Sequence, residues 1–359
     1  MSYSLLNFIA KRELSLPRFS LIPPVNLISM QTMNDQSKDK NHKATDFYDK
    51  NYKIVGQWML EPEKKQFLGE AHSRKCRFCD RSEPETTFET LAHAIPESIG
   101  NKSLFSYYEC DECNGKFGRG IESDFGNWSK PIRAMTRIKG KNGVPTVAKN
   151  GKLGWRVETD EQGDLRMKMK EAAPIFTVDE EKKQITFHLT RGDYTPAAVL
   201  KTFMKIALTL LPQLQMFYFS GLRNWVNEPD HKKGEAKFPA MYTFQPGPLP
   251  NDKLRVMILI RKQDYFLVPY AFIVIAYGNE MFQIQLPSSR EPSTASYDLP
   301  FFPSASSATF EETYGKAKRM LLDLSSTEKI RDEIYSFTAS YDEFTEVPVK
   351  DQSAENKNS

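Results

Sequence analysis

All four cysteines of the chain lie in two C-x-x-C pairs, Cys76 with Cys79 and Cys110 with Cys113. A C-x-x-C turn places two thiolates on the same side of a metal ion, and zinc takes four such ligands in a tetrahedron. A redox-active C-x-x-C is the competing interpretation, but a single pair is enough for that chemistry. The sequence therefore predicts one structural zinc ion held by all four thiolates.

Charge and hydropathy restrict where the protein works. Charged residues interrupt the apolar patches near the N-terminus, which argues against an export signal, and no apolar run approaches the roughly 18 residues that a membrane-spanning helix needs. The formal net charge is only +3, so a polyanionic partner has to be argued from local charge. These features predict a cytoplasmic protein without a membrane segment, in a compartment where thiols stay reduced.

The second half of the chain has the pattern of a separate α+β domain with a central, mostly antiparallel sheet. "YTPAAVLKTFMKIALTLLP" predicts a largely buried helix that starts at Pro196, with Lys201 and Lys205 on its exposed side. "LRVMILIR" and "YAFIVIAYG" are continuous apolar runs typical of central strands, and "EMFQIQLP" is a neighbouring strand. Thr309 with Glu312 and Ser325 with Glu328 have the spacing of capping boxes and predict two closing helices.

A strand, loop, strand and helix are predicted between and after the cysteine pairs. "TTFETLAHAIP" alternates so that Glu89, Leu91 and His93 share one face of a strand, and "FSYYEC" supplies the second strand. A helix starting near Cys113 carries Asn114 in its first turn. This order of elements is expected to bring His93 and Asn114 together.

The same stretch resembles the HNH endonucleases, in the branch whose ββα-metal core is braced by a four-cysteine zinc site. The motifs that carry the resemblance are the C-x-x-C pairs, "HAIPESIGN" and "CDECNGKFG", and they cover about residues 72–128. The resemblance implies metal-dependent hydrolysis of phosphodiester bonds. It assigns His93 as the base that activates water, Asn114 as a ligand of catalytic Mg²⁺ or Mn²⁺, and Asn101 as the residue that orients the histidine.

One position departs from the family pattern. The family commonly has an acidic metal ligand directly before the catalytic histidine, and this chain has Ala92 there. Glu89, two strand steps from His93, is the preferred replacement, and Glu122 or water is the alternative. A catalytically inactive zinc module that binds nucleic acid or a protein partner is therefore the rival hypothesis.

The alternative roles of the other residues are structural. Asn114 in the first turn of a helix can act as a cap, and Asn101 in "GNKS" can serve only the turn. Basic residues after the second cysteine pair predict a surface for a nucleic-acid backbone, against the alternative of a merely solvated face. These residues are Lys116, Arg119, Lys130, Arg133 and Arg137.

The sequence thus predicts an HNH-type endonuclease acting on nucleic acid, most simply double-stranded DNA, with RNA as a further candidate. The predicted layout is a flexible arm over 1–45, a zinc-bearing HNH domain over 46–130, a hairpin-rich connection over 131–190, an α+β targeting or regulatory domain over 191–345 and a disordered tail over 346–359. By analogy, such chains serve in bacterial restriction or anti-phage systems. A protein partner, a small-molecule activator and oligomerisation are left open for the C-terminal domain.

Overall fold

The structure of the protein is a computed structural model that describes residues 3–7, 19–21, 37–149, 155–159, 165–170, 175–231, 239–263, 267–292, 297–303, 307–340 and 347–348. The helices of these residues are α1 Ser37–Asn51, α2 Asp111–Arg119, α3 Ile121–Met135, α4 Pro196–Leu210, α5 Ser220–Asn227 and α6 Ala308–Tyr314. None of these helices has the combination of length and apolar character needed to cross a lipid bilayer.

The strands of the described residues are β1 Tyr3–Asn7, β2 Phe19–Leu21, β3 Tyr52–Leu60, β4 Gln66–Leu68, β5 Ala92–His93, β6 Leu104–Ser106, β7 Val147–Lys149, β8 Trp155–Thr159, β9 Leu165–Lys170, β10 Phe176–Asp179, β11 Gln184–Thr190, β12 Ala240–Phe244, β13 Leu254–Arg261, β14 Ala271–Tyr277, β15 Glu280–Gln285, β16 Lys318–Leu322, β17 Ile334–Ser340 and β18 Val347–Pro348. Short 3-10 helices cover Glu97–Ile99 and Gln213–Phe219.

The largest sheet has six antiparallel strands in the order β16-β12-β15-β14-β13-β3. Its central strand β14 is buried at nearly every position, because apolar side chains cover both faces. This confirms the predicted α+β class with a central, mostly antiparallel sheet. The strand β3 comes from before the cysteine pairs and pairs with β13 from the C-terminal half.

Two further antiparallel sheets contain the hairpins that were predicted after the cysteine block. One has the strand order β18-β1-β9-β8-β7 and the other has the order β10-β11-β17-β2. The turn signals of the sequence therefore indicated hairpins correctly in this region.

The helix α4 forms the centre of the molecule. All of its residues are buried, and Phe203 packs edge to face on Phe125 of α3, with ring centroids 5.2 Å apart. Phe203 also contacts Phe282 of β15 at 5.0 Å. One continuous apolar cluster therefore runs from the cysteine block through α4 into the large sheet, and the predicted domain boundaries stay predictions.

The prediction that Lys201 and Lys205 lie on the exposed side of α4 is wrong. Both side chains are buried, and each ammonium has a polar partner: the Glu228 carbonyl for Lys201, and two carboxylates for Lys205. A helix that is apolar on all faces has no exposed side, so a lysine within it must be buried and paired.

The stretch predicted as a flexible arm contains the start of α1 at Ser37. Ala44 and Tyr48 of this helix are buried, and Tyr48 packs on Phe272 of β14 with ring centroids 5.4 Å apart. Contact with the large sheet therefore stabilises a helix whose own sequence is polar. The remainder of the predicted arm is described only as β1 and β2, and that of the predicted tail only as β18.

The prediction of two closing helices is largely wrong. Only α6 forms, and its N-cap is Ser307, whose hydroxyl accepts a hydrogen bond from the Phe310 amide at 3.2 Å. Residues after it enter the strands β16 and β17. Buried Phe337 pairs with Phe187 across the sheet, so long-range strand pairing overrides the local helix signals.

Candidate metal centre and active site

Two backbone turns hold the four thiolates. In the first turn, the Asp80 amide donates to the Cys76 carbonyl at 2.9 Å, and Asp80 has a left-handed φ of 60° that closes the turn. In the second, Cys110 is the N-cap of α2, and the Asn114 amide donates to its carbonyl at 2.9 Å. Each C-x-x-C pair therefore projects its two sulfur atoms from one tight turn.

The four sulfur atoms fit a tetrahedral zinc ion. All four Sγ atoms lie within 4.8 Å of one another, and the Cys79 and Cys110 sulfurs are 3.7 Å apart. A zinc–sulfur distance of about 2.3 Å in a tetrahedron requires sulfurs about 3.8 Å apart. None of the four thiols is in a disulfide. The predicted cluster of Cys76, Cys79, Cys110 and Cys113 is thus confirmed as a candidate structural metal site.

The pKa values of the cluster thiols shift in opposite directions: that of Cys76 is lowered, whereas burial raises that of Cys110 and the hydrogen bond with Cys76 raises that of Cys113. The Cys113 thiol is the main cause that lowers the pKa of Cys76 to about 5, against the opposing effect of burial. The Arg81 side chain donates from Nε to the Cys79 sulfur at 3.4 Å and forms an ion pair with Glu112 of α2. Its positive charge therefore partly offsets the negative charge of the thiolates.

The first cysteine turn is also tied to the centre of the molecule. Arg77, between the two cysteines, is buried, and its Nη1 donates to the carbonyl oxygens of Leu208, Thr209 and Leu211 at 2.9, 3.0 and 2.7 Å. These carbonyls belong to the last turn of α4 and to its C-cap residue Leu211, where they lack helical partners. The turn thereby caps the C-terminal end of α4.

The predicted order of strand, loop, strand and helix is confirmed by β5, β6 and α2. The first strand is shorter than predicted, because only Ala92–His93 pair with β6. The residues before it bend toward the helix: the Asp111 carboxylate accepts hydrogen bonds from the Thr87 hydroxyl and from the amides of Glu89 and Thr90. The expected alternation that aligned Glu89 with His93 on one strand is therefore wrong.

Asn101 holds the loop between β5 and β6. Its side chain is fully buried; Nδ2 donates to the carbonyls of Ile95 and Leu104, and Oδ1 accepts from the amides of Ser103 and Leu104. These four bonds use the bonding capacity of the amide. Asn101 can therefore orient His93 only through the loop backbone, as a positioning residue.

His93 is half-buried on β5, with its ring against that of Phe105 on β6 at a centroid distance of 4.8 Å. Burial is the largest effect on its pKa and lowers it below the usual value. Glu97 and Glu122 oppose this shift, whereas Lys205 and Lys141 add to it. The ring is therefore neutral at pH 7, which is the form that accepts a proton.

A buried ionic cluster, two members of which act on the His93 pKa, was missed from the sequence. The Lys205 ammonium of α4 is 2.8 Å from Glu109 Oε2 and 2.9 Å from Glu122 Oε1. Burial raises the pKa of Glu109 to about 7, and Lys205 opposes that rise. The signal that could have revealed the cluster is a lysine within an apolar helix, because such a lysine needs an acidic partner.

Glu89 and Glu122 are the two candidates to replace the acidic metal ligand that the family commonly has at the position of Ala92. Of the two, Glu122 lies in the electrostatic environment of His93. Its carboxylate acts on the His93 pKa, and it is held by Lys205 at the start of α3. Glu89 is exposed and lines a cavity of about 390 Å³ together with Arg74, Leu91 and Tyr107. The replacement of the missing acid by Glu89 stays a prediction, and Glu122 is the alternative that belongs to the buried ionic cluster.

The remaining predicted residues have different surroundings. Asn114 is half-buried in the first turn of α2, as predicted. Lys116 and Arg119 are exposed on α2, and Lys130 is half-buried on α3. Arg137 follows α3 with a left-handed φ of 58° and is half-buried.

The prediction that Arg133 contacts nucleic acid is wrong. Its side chain is only 6% exposed, because the guanidinium donates to the Ser129 hydroxyl and to the carbonyls of Ser98 and Gly126. These bonds join α3 to the 3-10 helix after β5. Arg133 therefore stabilises the structure around the loop that follows His93.

Two short strands and a helix, with a four-thiol cluster and a half-buried histidine on the first strand, have the arrangement expected of a metal-braced ββα core. Residues 76–129 match the family model described as HNH endonuclease, which confirms the resemblance inferred for residues 72–128. The match covers this segment alone and shows that it is similar to HNH endonucleases. Comparison of the chain with curated proteins and with solved structures gave no match.

Proposed function

We propose that the protein is a metal-dependent HNH-type endonuclease that hydrolyses phosphodiester bonds, with DNA as its substrate. The observation that carries the proposal is the neutral, half-buried His93 on β5 of a segment that matches the HNH family. A histidine with a lowered pKa is a proton acceptor at neutral pH, which is what the attack of water on a phosphodiester requires.

In the proposed reaction, the oxygen of a water molecule attacks phosphorus while a ring nitrogen of His93 accepts a proton from that water. The bond between phosphorus and the leaving sugar oxygen breaks, and the leaving oxygen takes a proton from solvent. Asn101 keeps the loop after β5 in place, so that the ring stays oriented. Phe105 restricts the ring from the side of β6.

A hard divalent ion, Mg²⁺ or Mn²⁺, would supply electrostatic stabilisation of the phosphate and of the leaving oxygen. Such ions keep several waters and take one or two protein carboxylates together with substrate oxygens. Glu122 and Asn114 are the residues proposed to hold it, in place of an acid at Ala92. Glu89 is the less favoured ligand, because it is exposed and the predicted strand that would align it with His93 does not form.

The four cysteines are proposed to hold a structural zinc ion rather than to take part in the reaction. Their sulfur spacing matches zinc, and reduced thiols suit a cytoplasmic location.

A role in restriction or anti-phage defence is the proposed cellular setting. Its test is the efficiency of phage plating on cells that carry the wild-type gene or the H93A variant.

The rival function is an inactive zinc module that only binds nucleic acid or a partner, and Ala92 is the feature that favours it. A plasmid-nicking assay of the full chain with Mg²⁺ or Mn²⁺ separates the two functions, with EDTA as the control. The proposal expects nicking by wild type and by H72A, because His72 is an exposed surface residue paired with Glu70. It expects none by H93A.

The acidic ligand is tested in the same assay. E122Q should abolish or strongly slow nicking and raise the Mg²⁺ concentration needed, whereas E89Q should behave like wild type. Loss of nicking in E89Q with wild-type nicking in E122Q would instead identify Glu89 as the ligand.

Cleavage of RNA in preference to DNA by the wild-type protein would transfer the proposal to an RNA substrate.

A further inference from the structure

One face of the small sheet β4-β6-β5 carries an aromatic row that ends at His93. The strands align Phe67 of β4 with Phe105 of β6, and Phe105 with His93 of β5. Phe67 is 46% exposed. The opposite face of the sheet is buried at Leu104 and Ser106, so the aromatic row lies on the solvent side.

The rings of the row are arranged like a stacking surface. Phe67 lies nearly parallel to Phe105, at 5.7 Å and 26°, and to Tyr107, at 5.6 Å and 12°. His93 contacts Phe105 at 4.8 Å. We call Phe67, Phe105 and Tyr107 the aromatic platform. Backbone pairing of β4 with β6 fixes the platform, because the Tyr107 amide also donates to the Leu68 carbonyl at 2.9 Å.

A fixed positive charge flanks the platform. The Arg74 guanidinium lies 5.1 Å from the centre of the Tyr107 ring, and its Nε and Nη1 donate to the carbonyls of Ala71 and Phe88. Arg74 and Tyr107 also line the cavity of about 390 Å³ beside the platform. Ligand pockets of a few hundred Å³ accept small rings such as a nucleobase. On the other side of His93, exposed Lys141 adds positive potential.

We propose that the aromatic platform stacks unpaired bases of a single-stranded nucleic acid and so delivers the adjoining phosphodiester to His93. This inference rests on the proposed nuclease function and specifies its substrate. Aromatic side chains bind bases through the ring faces, which a duplex buries between its own base pairs, so such a surface selects unpaired strands. It thereby replaces the double-stranded substrate expected from the sequence by single strands or unpaired segments.

The test is equilibrium binding of the full-length chain, measured by the anisotropy of a fluorescein-labelled oligo(dT) and of a labelled duplex of equal length. All variants carry H93A and no divalent metal is added, so binding is separated from cleavage. F67A and F67L remove the ring, and F67L keeps most of the apolar volume. F217A is the matched control, because Phe217 is 80% exposed on a different element.

The proposal expects tighter binding of oligo(dT) than of the duplex, and at least a fivefold loss for F67A and F67L, as expected for a lost base-stacking contact. F67W should retain wild-type affinity, and F217A should change nothing. Thermal melting of each variant checks that it is folded.

Equal affinity for oligo(dT) and the duplex, or unchanged oligo(dT) binding by folded F67L, would overturn the proposal that the aromatic platform stacks unpaired bases. That outcome leaves the proposed function intact if wild type still nicks plasmid DNA. Conversely, Phe67-dependent binding of oligo(dT) without cleavage of any substrate would support the platform and refute the nuclease.

Discussion

The ring of His93 is held at an intermediate depth, and this depth sets the pH at which it can act. Burial lowers its pKa below the usual value of about 6.5, so the neutral form prevails at and above neutral pH. The single-turnover cleavage rate should therefore fall only as the pH drops below about 6.5, and stay flat from pH 7 to 8. A nearby divalent cation would shift the acid limb further down. An acid limb centred above pH 7 would contradict the role of His93.

Asn101 is a second residue whose surroundings make a quantitative prediction. N101A removes four hydrogen bonds and leaves buried backbone groups of the β5–β6 loop without partners. The expected loss in free energy of unfolding is roughly 2–4 kcal/mol, measured by urea denaturation.

The matched control is N127A, because Asn127 makes one side-chain bond, to the Asp193 carbonyl, at an exposed site. N127A should cost less than about 1 kcal/mol. Equal losses for the two variants would show that Asn101 has no special part in holding the loop.

At the scale of elements, α4 contributes the ionic cluster beside the candidate active site. K205M leaves Glu109 buried without its cation and frees Glu122, and the expected loss is about 3–5 kcal/mol of unfolding free energy at pH 8. K201M, one helical turn away, loses the bond to the Glu228 carbonyl and the contact of its ammonium with the Trp225 ring, and should cost about 1–2 kcal/mol. Nicking should fall in K205M and persist in K201M.

The pH dependence of K205M has a definite sign. Glu109 has a folded-state pKa raised to about 7, above its unfolded value, and loss of Lys205 raises it further. Stability from such a group is present while it is protonated and is lost as the pH rises from the unfolded towards the folded pKa. The deficit of K205M relative to wild type should thus be smaller at pH 5 than at pH 8. A deficit independent of pH would contradict the assigned pairing.

Prediction from sequence succeeded where a pattern depends on few, local contacts. The spacing of the cysteines and the "HAIP" motif gave β5, β6, α2 and the metal cluster, and the apolar runs gave the central strands. It failed where distant contacts decide: strand pairing with β11 turned a capped helical pattern into β17. The ion pair of Lys205 with Glu122 was likewise not foreseen, because these two residues are distant in sequence.

At the scale of the whole molecule, the metal cluster is connected to the core rather than attached to its surface. Arg77 caps α4, and Asn227 of α5 donates to the Phe78 carbonyl at 2.8 Å. Loss of zinc should therefore unfold more than the cysteine turns. C110S or C113S should abolish cooperative melting of the chain, followed by circular dichroism.

Elemental analysis of the wild-type protein should give about one zinc per chain, retained after brief chelation because three of the four thiols are buried. A chain without zinc that melts like wild type would refute the structural role of the cluster.

The central claim is that His93 performs proton transfer in a metal-dependent nuclease, and its most direct test is the single-turnover rate of H93A. With equal zinc content and saturating Mg²⁺, the account predicts a rate lower than that of wild type by about 10²–10⁴-fold, and an unchanged rate for H72A. An H93A rate equal to that of wild type, in protein of equal zinc content and stability, would contradict it.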